Sequence, residues 1–511
     1  MAAPATADTS ESVLATQRGK LMLTLLCAVA FIDTFGVSSV NVALPPIQHD
    51  LHFTIQNLQW VVSGYVLTYG GFLLLGGRAA DLLGRRRILV AGTILFALST
   101  VLAGLATNSG SLVGARLAQG IGAAMMSPAA LSILTTTFSQ GTDRLTALGA
   151  WGAMAGLGPV AGVGLGGVLT GGPGWRWVFL VNPPVCVAIV VASFCLLSGE
   201  RPTTARLANF DTAGAILVTA APLLLVYALV RAPVVGWSSG QTIGELAGAG
   251  VLLVLFVANE LRHPNPLLPM SIFRIRGLGE ADITQVIATA GFLSMFFFIT
   301  LYMQEILGFS ATKTGVAYLP VAFGVAISAA ICSRLFTRTG TRPIIVIGAL
   351  VAAGAVFWLS RIPVHGTYLH DLLAPLVIMS VGLGAVFVGV QTASQAGVPP
   401  ERAGLAAALI TASFQIGSAL GLAIFSVIAT TRTNDLLARH VAQPTALTWG
   451  FQRALLACSI FLAAAAVIAL RASNTRGEMI VHEHEELPSS PAEVSAGGTS
   501  RTHSEVGSCL G

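Results

Sequence analysis

Asp33 is the only acidic residue in an apolar run from 21 to 43, about 12 residues from its start. In a helix rising about 1.5 Å per residue, that places it about 18 Å from the end of the run, deep within a hydrocarbon layer about 30 Å thick. An ionised carboxylate is costly at such depth. It would take up a proton near neutral pH and release it when water or a cation arrives, which is the chemistry of proton coupling or cation binding. The bland alternative is an aspartate opening into a watery vestibule. Arg116 lies about four residues inside the fourth apolar run, near the same layer by helical rise. A guanidinium keeps its proton, so its contribution there is electrostatic: a mobile pairing with Asp33 would tie that acid's proton affinity to conformation. Its competing role is to snorkel to the nearby interface. Gln119, one turn on, is spaced to orient it by a hydrogen bond.

The elements that hold these groups follow from composition. Of 511 residues, 54% are hydrophobic and 10% charged, against roughly 25% charged in soluble domains, which excludes a water-soluble enzyme. Fourteen apolar runs have the length of a bilayer span: six in 21–198, two in 211–259 and six in 281–471. The expected fold is an all-α integral membrane protein of 14 transmembrane helices, two six-helix bundles plus two inserted helices. It is preceded by a segment 1–20 and followed by a polar, disordered tail 472–511. The first run is too long for the core of a cleavable signal, and Pro45 and Pro46 follow it. Arginines concentrate in alternate loops, among them Arg78, Arg85 to Arg87, Arg274, Arg276, Arg334, Arg338 and Arg342. By the positive-inside rule, both termini are therefore cytoplasmic. Lysine occurs only as Lys20 and Lys313, a bias that points to a GC-rich genome and a bacterial plasma membrane.

Other chemistries find no support. A net charge of +5 is spread too thinly for a nucleic-acid stripe, and no phosphate-binding G-x-x-x-x-G-K-[ST] loop occurs. The six cysteines have no paired spacing. The nine histidines lie in loops or the tail, leaving no catalytic constellation in the spans. His482-x-His484 is too small a ligand set for a metal and reads as solvated tail. No enzyme activity, cofactor or nucleic-acid partner is expected.

One loop repeats. Gly77-x-x-x-Asp81-x-x-Gly84-Arg85-Arg86 joins the second and third runs, and Ser333-Arg334-x-x-Thr337-Arg338-x-Gly340-x-Arg342 joins the same two runs of the later six. This matches a parallel repeat about an axis along the membrane normal.

The first of these loops resembles the signature loop of the major facilitator superfamily. Asp33 with Asn41-Val-Ala-Leu-Pro45, Arg116-x-x-Gln119-Gly120-x-Gly122, Gly158-Pro159-x-x-Gly162 with Gly166-Gly167, and Trp175-Arg176-Trp177-x-Phe179-x-x-Asn182-x-Pro184 resemble its fourteen-helix drug/proton antiporter branch. The resemblance runs from 1 to about 471 and departs at Thr337, where the second loop lacks the acid of the first. It implies a proton-coupled exporter of lipophilic organic compounds such as drugs or antibiotics, acting by alternating access as a monomer in the lipid bilayer. The alternative is a proton symporter or facilitator for a small metabolite. On this resemblance Asp33, Arg116 and Gln119 serve proton and substrate, while Gly77, Asp81, Gly84, Arg85 and Arg86 form a gating loop. There Gly77 and Gly84 would permit tight backbone approach, and Asp81 would cap a later helix opening near Ala403.

Gly158, Pro159, Gly162 and Gly166 would form the antiport-type seal, although from the residues alone their four-residue spacing means only a packing stripe, as does that of Gly152 and Gly156. Asn41 belongs to the possible cavity, as do Tyr65 and Phe296. With Phe31, Phe35, Tyr69, Phe292, Met295 and Tyr302, those rings would line a greasy chamber, or simply pack between helices. Asp282 and Glu305, near the two ends of the ninth run, are expected to reach water.

Overall fold

Thr16 begins the first helix by accepting the Gly19 N–H at 3.0 Å on its Oγ1, the usual way an N-cap satisfies an orphan donor. Helix α1 (Gln17–Asp50) then runs past the expected end at 43, straight through Pro45 and Pro46. Proline offers no N–H, so the carbonyl four residues before Pro46, that of Val42, loses its helical donor. It accepts instead from Gln304 Nε2 at 2.9 Å. A side chain from far along the sequence therefore supplies what the helix cannot.

The computed structural model describes residues 13–138, 141–197, 211–264, 266–275, 277–398, 403–472 and 474. The expectations for 1–12, Arg276 and the tail from 475, with His482 and His484, lie outside the described residues. Among the described residues fourteen helices are long and apolar enough to cross a membrane. After α1 come α2 (Trp60–Leu83), α3 (Arg85–Gly104), α4 (Ser109–Thr137), α5 (Gly141–Gly171) and α6 (Asn182–Leu196). Next are α7 (Thr212–Val235) and α8 (Gly240–Arg262). The last six are α9 (Leu278–Leu301), α10 (Ala311–Thr339), α11 (Thr341–Leu359), α12 (Ala374–Gln395), α13 (Ala403–Ala438) and α14 (Gln443–Ala469). A π turn, Tyr302–Ile306, extends α9. Large side chains left bare, such as Val316, Phe323, Ile327 and Ile331 along one stripe of α10, suit a lipid surround and not water.

The packing repeats. Among the first six helices α1 packs on α5 and α6, α4 on α2 and α3, and α3 on α6. Among the last six α9 packs on α13 and α14, α12 on α10 and α11, and α11 on α14. The two sets meet through reciprocal pairs, α5 with α10 and α2 with α13. The loops that suggested a repeat share backbone geometry too: Gly84 (φ 100°) ends α2 and Gly340 (φ 82°) ends α10, a region that favours glycine. Helices α7 and α8 pair with each other, and α7 leans on both α2 and α13.

Candidate functional site

Asp33 is buried in α1 at 7% exposure. Tyr65 and Tyr69, four residues apart on one face of α2, divide its carboxylate between them. The Tyr65 hydroxyl donates to Oδ1 at 2.7 Å and the Tyr69 hydroxyl to Oδ2 at 2.6 Å, with Ser127 of α4 beside them. Tyr65 therefore faces the acid. At 1% exposure it is committed to Asp33. The i, i+4 tyrosine pair was visible in the sequence as two aromatics; its polar ends were the signal for a buried acid.

Arg116 is 1% exposed and does not snorkel. Its Nε donates to the Val61 carbonyl at 2.7 Å and its Nη1 to Gln119 Oε1 at 2.6 Å, so Gln119 orients it as the spacing suggested. The guanidinium carbon lies 4.3 Å from the centre of the Tyr65 ring and 5.9 Å from that of Phe179, a cation–π geometry. Tyr65 thus stands between Arg116 and Asp33: its ring faces the guanidinium and its hydroxyl donates to the carboxyl. Phe179 comes from the Trp175-to-Asn182 segment, whose first members secure the end of α1. Trp175 Nε1 and Arg176 Nη1 donate to Asp50 Oδ2 at 3.0 and 2.7 Å.

The glycine stripe of α5 lies against α1. A β-carbon on Gly162 would sit 2.8 Å from the Phe35 carbonyl oxygen, and one on Gly166 2.8 Å from Ser39 Cα; one on Gly158 would collide with Thr34. Gly152 has nothing near it, so the contact is confined to the Gly158 register, and Pro159 follows within the same helix. Towards the end of α2 the close approach belongs to Gly76, whose β-carbon would strike the Ala124 backbone, and not to Gly77, which has 3.7 Å of room to Pro128. Gly84 is required instead by its positive φ. Arg86 sits over the Phe194 ring at 4.8 Å and donates to the Phe194 carbonyl at 3.3 Å. Arg85 is held as well. Asp81 is in the last turn of α2, with its side chain outside the described residues.

Of the other cavity candidates, Asn41 is half-buried and its Oδ1 is enclosed without a hydrogen-bond partner. Phe296 is half-buried against Tyr318, ring centres 5.4 Å apart. Phe35, Phe292, Met295 and Tyr302 are packed core. Asp282 does not reach water. It is 5% exposed because α13 covers it. Glu305 instead meets His49 Nε2 at 2.9 Å across the two sets of helices, next to the Gln304 contact. A cavity of about 640 Å³ lies between the ends of α2, α7, α13 and α14, bordered by Gln56, Trp60, Tyr227, Arg231 and Thr433; nothing in the sequence announced it.

The family model that matches residues 26–422 is described as Major Facilitator Superfamily. The chain belongs to the major facilitator superfamily. It is 36% identical to puromycin resistance protein pur8 of Streptomyces alboniger, over 84% of this chain and 85% of that one. It is 34% identical to cephamycin export protein CmcT of Amycolatopsis lactamdurans, over 87% and 91%, and 32% identical to a tetracenomycin C resistance and export protein of Streptomyces glaucescens, over 82% and 78%. In fold it is similar to a bacterial homologue of the human lysosomal transporter Spinster, crystallised facing inward, with a TM-score of 0.61 at 18% identity over 89% and 96% of the two chains. The superfamily match encloses Asp33, Arg116, the α5 stripe and Asp282, and ends within α13, so α14 lies beyond it.

Proposed function

We propose that this chain exports lipophilic organic compounds, drugs and antibiotics among them, in exchange for protons. The names of its relatives, resistance and export proteins for puromycin, cephamycin and tetracenomycin C, support the export of such compounds. The observation that carries the proton is Asp33: a buried carboxylate whose two oxygens are served by two hydroxyls of one neighbouring helix. Each such bond to a charged acceptor contributes about 1.5–3 kcal/mol, while taking an ion out of water costs several kcal/mol. The two quantities are close, so a small displacement of α2 relative to α1, which would withdraw both hydroxyls together, decides whether the carboxyl holds its proton. Arg116, reaching Asp33 through the Tyr65 ring, makes that decision depend on where α2 and α4 stand.

In this reading α1–α6 and α9–α14 are the two moving bundles, joined through the 211–259 insert, and both termini face the cytoplasm across the plasma membrane. The α2–α3 loop, with Gly84, Arg85 and Arg86, gates that side. Ethidium efflux from cells or its uptake into everted vesicles, driven by an imposed pH gradient, tests the reading. Asp33→Asn is expected to abolish the pH-driven component at unchanged membrane expression. Full retention of that component removes Asp33 from the mechanism, and substrate moving in the same direction as the proton replaces export with symport.

A further inference from the structure

We propose that Asp282 is a second proton-carrying carboxyl, in the set of helices that does not hold Asp33; this rests on the proton-coupled reading above. Asp282 lies about one turn into α9, and α9 packs on α13 and α14 as α1 packs on α5 and α6. Each set of six thus has a buried acid on its first helix. Only 5% of Asp282 is exposed. Ser413 of α13 donates to Oδ1 at 3.2 Å, while Oδ2 is enclosed with no hydrogen-bond partner. A buried carboxylate anion with one long bond to a neutral donor and a bare second oxygen is not a stable arrangement; a proton on Oδ2 removes both the charge and the unmet acceptor.

Among the described residues no cation offers a substitute. On the described elements against α9 the charged or titratable groups are Arg274 of the preceding turn, Arg432 and Asp435 near the far end of α13, Arg453 and Cys458 of α14, Glu280, Tyr302 and Glu305 of α9 and its extension, and Arg18, Lys20, Cys27, Asp33, His49 and Asp50 of α1. None of these pairs with Asp282 among the described residues. The acid is also near an entrance. Gly277, left-handed at φ 90°, ends the linker just before α9, so a slight parting of the starts of α9 and α13 would hydrate Asp282 from the end of the molecule where α1 begins. Asp33 is reached only at greater depth. Two acids at different depths on different sets of helices give two protons per cycle, where Asp33 alone gives one.

Two measurements on the full chain decide this. First, wild-type membranes are treated with dicyclohexylcarbodiimide, which adds only to a protonated carboxyl, across a range of pH, and peptides are analysed by mass. An adduct on Asp282 that declines as pH rises is expected; its absence at every pH overturns the proposal. Second, proteoliposomes report protons moved per ethidium, with a trapped pH dye. Asp282→Asn should halve the ratio and Asp282→Glu restore it, while an unchanged ratio in Asp282→Asn overturns the proposal. A wild-type protein that moves no protons with ethidium sinks the coupled reading as a whole, whereas a normal wild-type ratio that is indifferent to Asp282 sinks only this inference. Should Asp282→Asn fail to insert, Ser413→Ala substitutes for it: its Asp282 adduct should persist to higher pH, and an unshifted labelling profile refutes the assignment.

Discussion

Gln304→Leu isolates a single bond between the two sets of helices. The Val42 carbonyl that Pro46 cannot serve is met by Gln304 Nε2 at 2.9 Å, and leucine keeps the bulk while removing the donor. One such bond is worth about 0.5–1.5 kcal/mol net. At about 1.4 kcal/mol per factor of ten, its loss moves the balance between closed and open on this face about twofold to tenfold toward open. The adjacent His49–Glu305 pair does not compensate, because the His49 side chain is 70% exposed and exposed pairs contribute about 0–1 kcal/mol. Spin labels on the exposed positions His52 and Ser310 report the separation by electron–electron double resonance. The long-distance population should grow in Gln304→Leu. Pro46→Ala gives Val42 a helical donor again, so in that background the Gln304→Leu effect should shrink, as expected for groups that share a partner. Identical distance distributions in wild type and Gln304→Leu would show that the contact bears no part of closure.

Arg116→Lys loses the forked donor that serves Val61 and Gln119 together, and a point charge does not replace it; the pH–rate profile for ethidium export should move, and an unmoved profile makes Arg116 a packing residue. Tyr65→Phe keeps the ring under Arg116 but deletes one of the two donors to Asp33. Export at saturating substrate should lose its normal pH dependence while the protein's melting temperature changes little. Gly162→Ala forces a β-carbon to 2.8 Å from the Phe35 carbonyl oxygen and should cost about 1–3 kcal/mol, read as a lowered melting temperature in detergent. Gly152→Ala, with open space around it, should be silent in the same assay. Gly84→Ala places a β-carbon at φ 100°, a strain of about 1–3 kcal/mol, and should slow transport before it reduces expression.

The helix count was readable because hydrophobic length is a property of composition, and the repeat was readable because two loops kept a glycine where φ is positive. The acid and the arginine were readable because charge in an apolar run has few explanations. What joined them was not. Tyr65 counted as one more aromatic, and only its placement between α1 and α4 turned it into the link between Arg116 and Asp33. The first run was ended at 43, short of Pro45 and Pro46, since sequence alone gives no account of a donor arriving from Gln304. Asp282 was assigned to water by its position near a helix end, but burial depends on the neighbour that covers it, here α13, and helix pairing is not written in one-dimensional hydropathy.

The inserted α7 leans across α2 and α13, while among the described residues neither inserted helix packs extensively against the reciprocal junction of α5 and α10. The molecule's rotational likeness is therefore broken at its flanks. Of the two seams between the sets of six, one is shuttered by an inserted helix and the other is closed by its own interlocked glycines, Gly167 and Gly315.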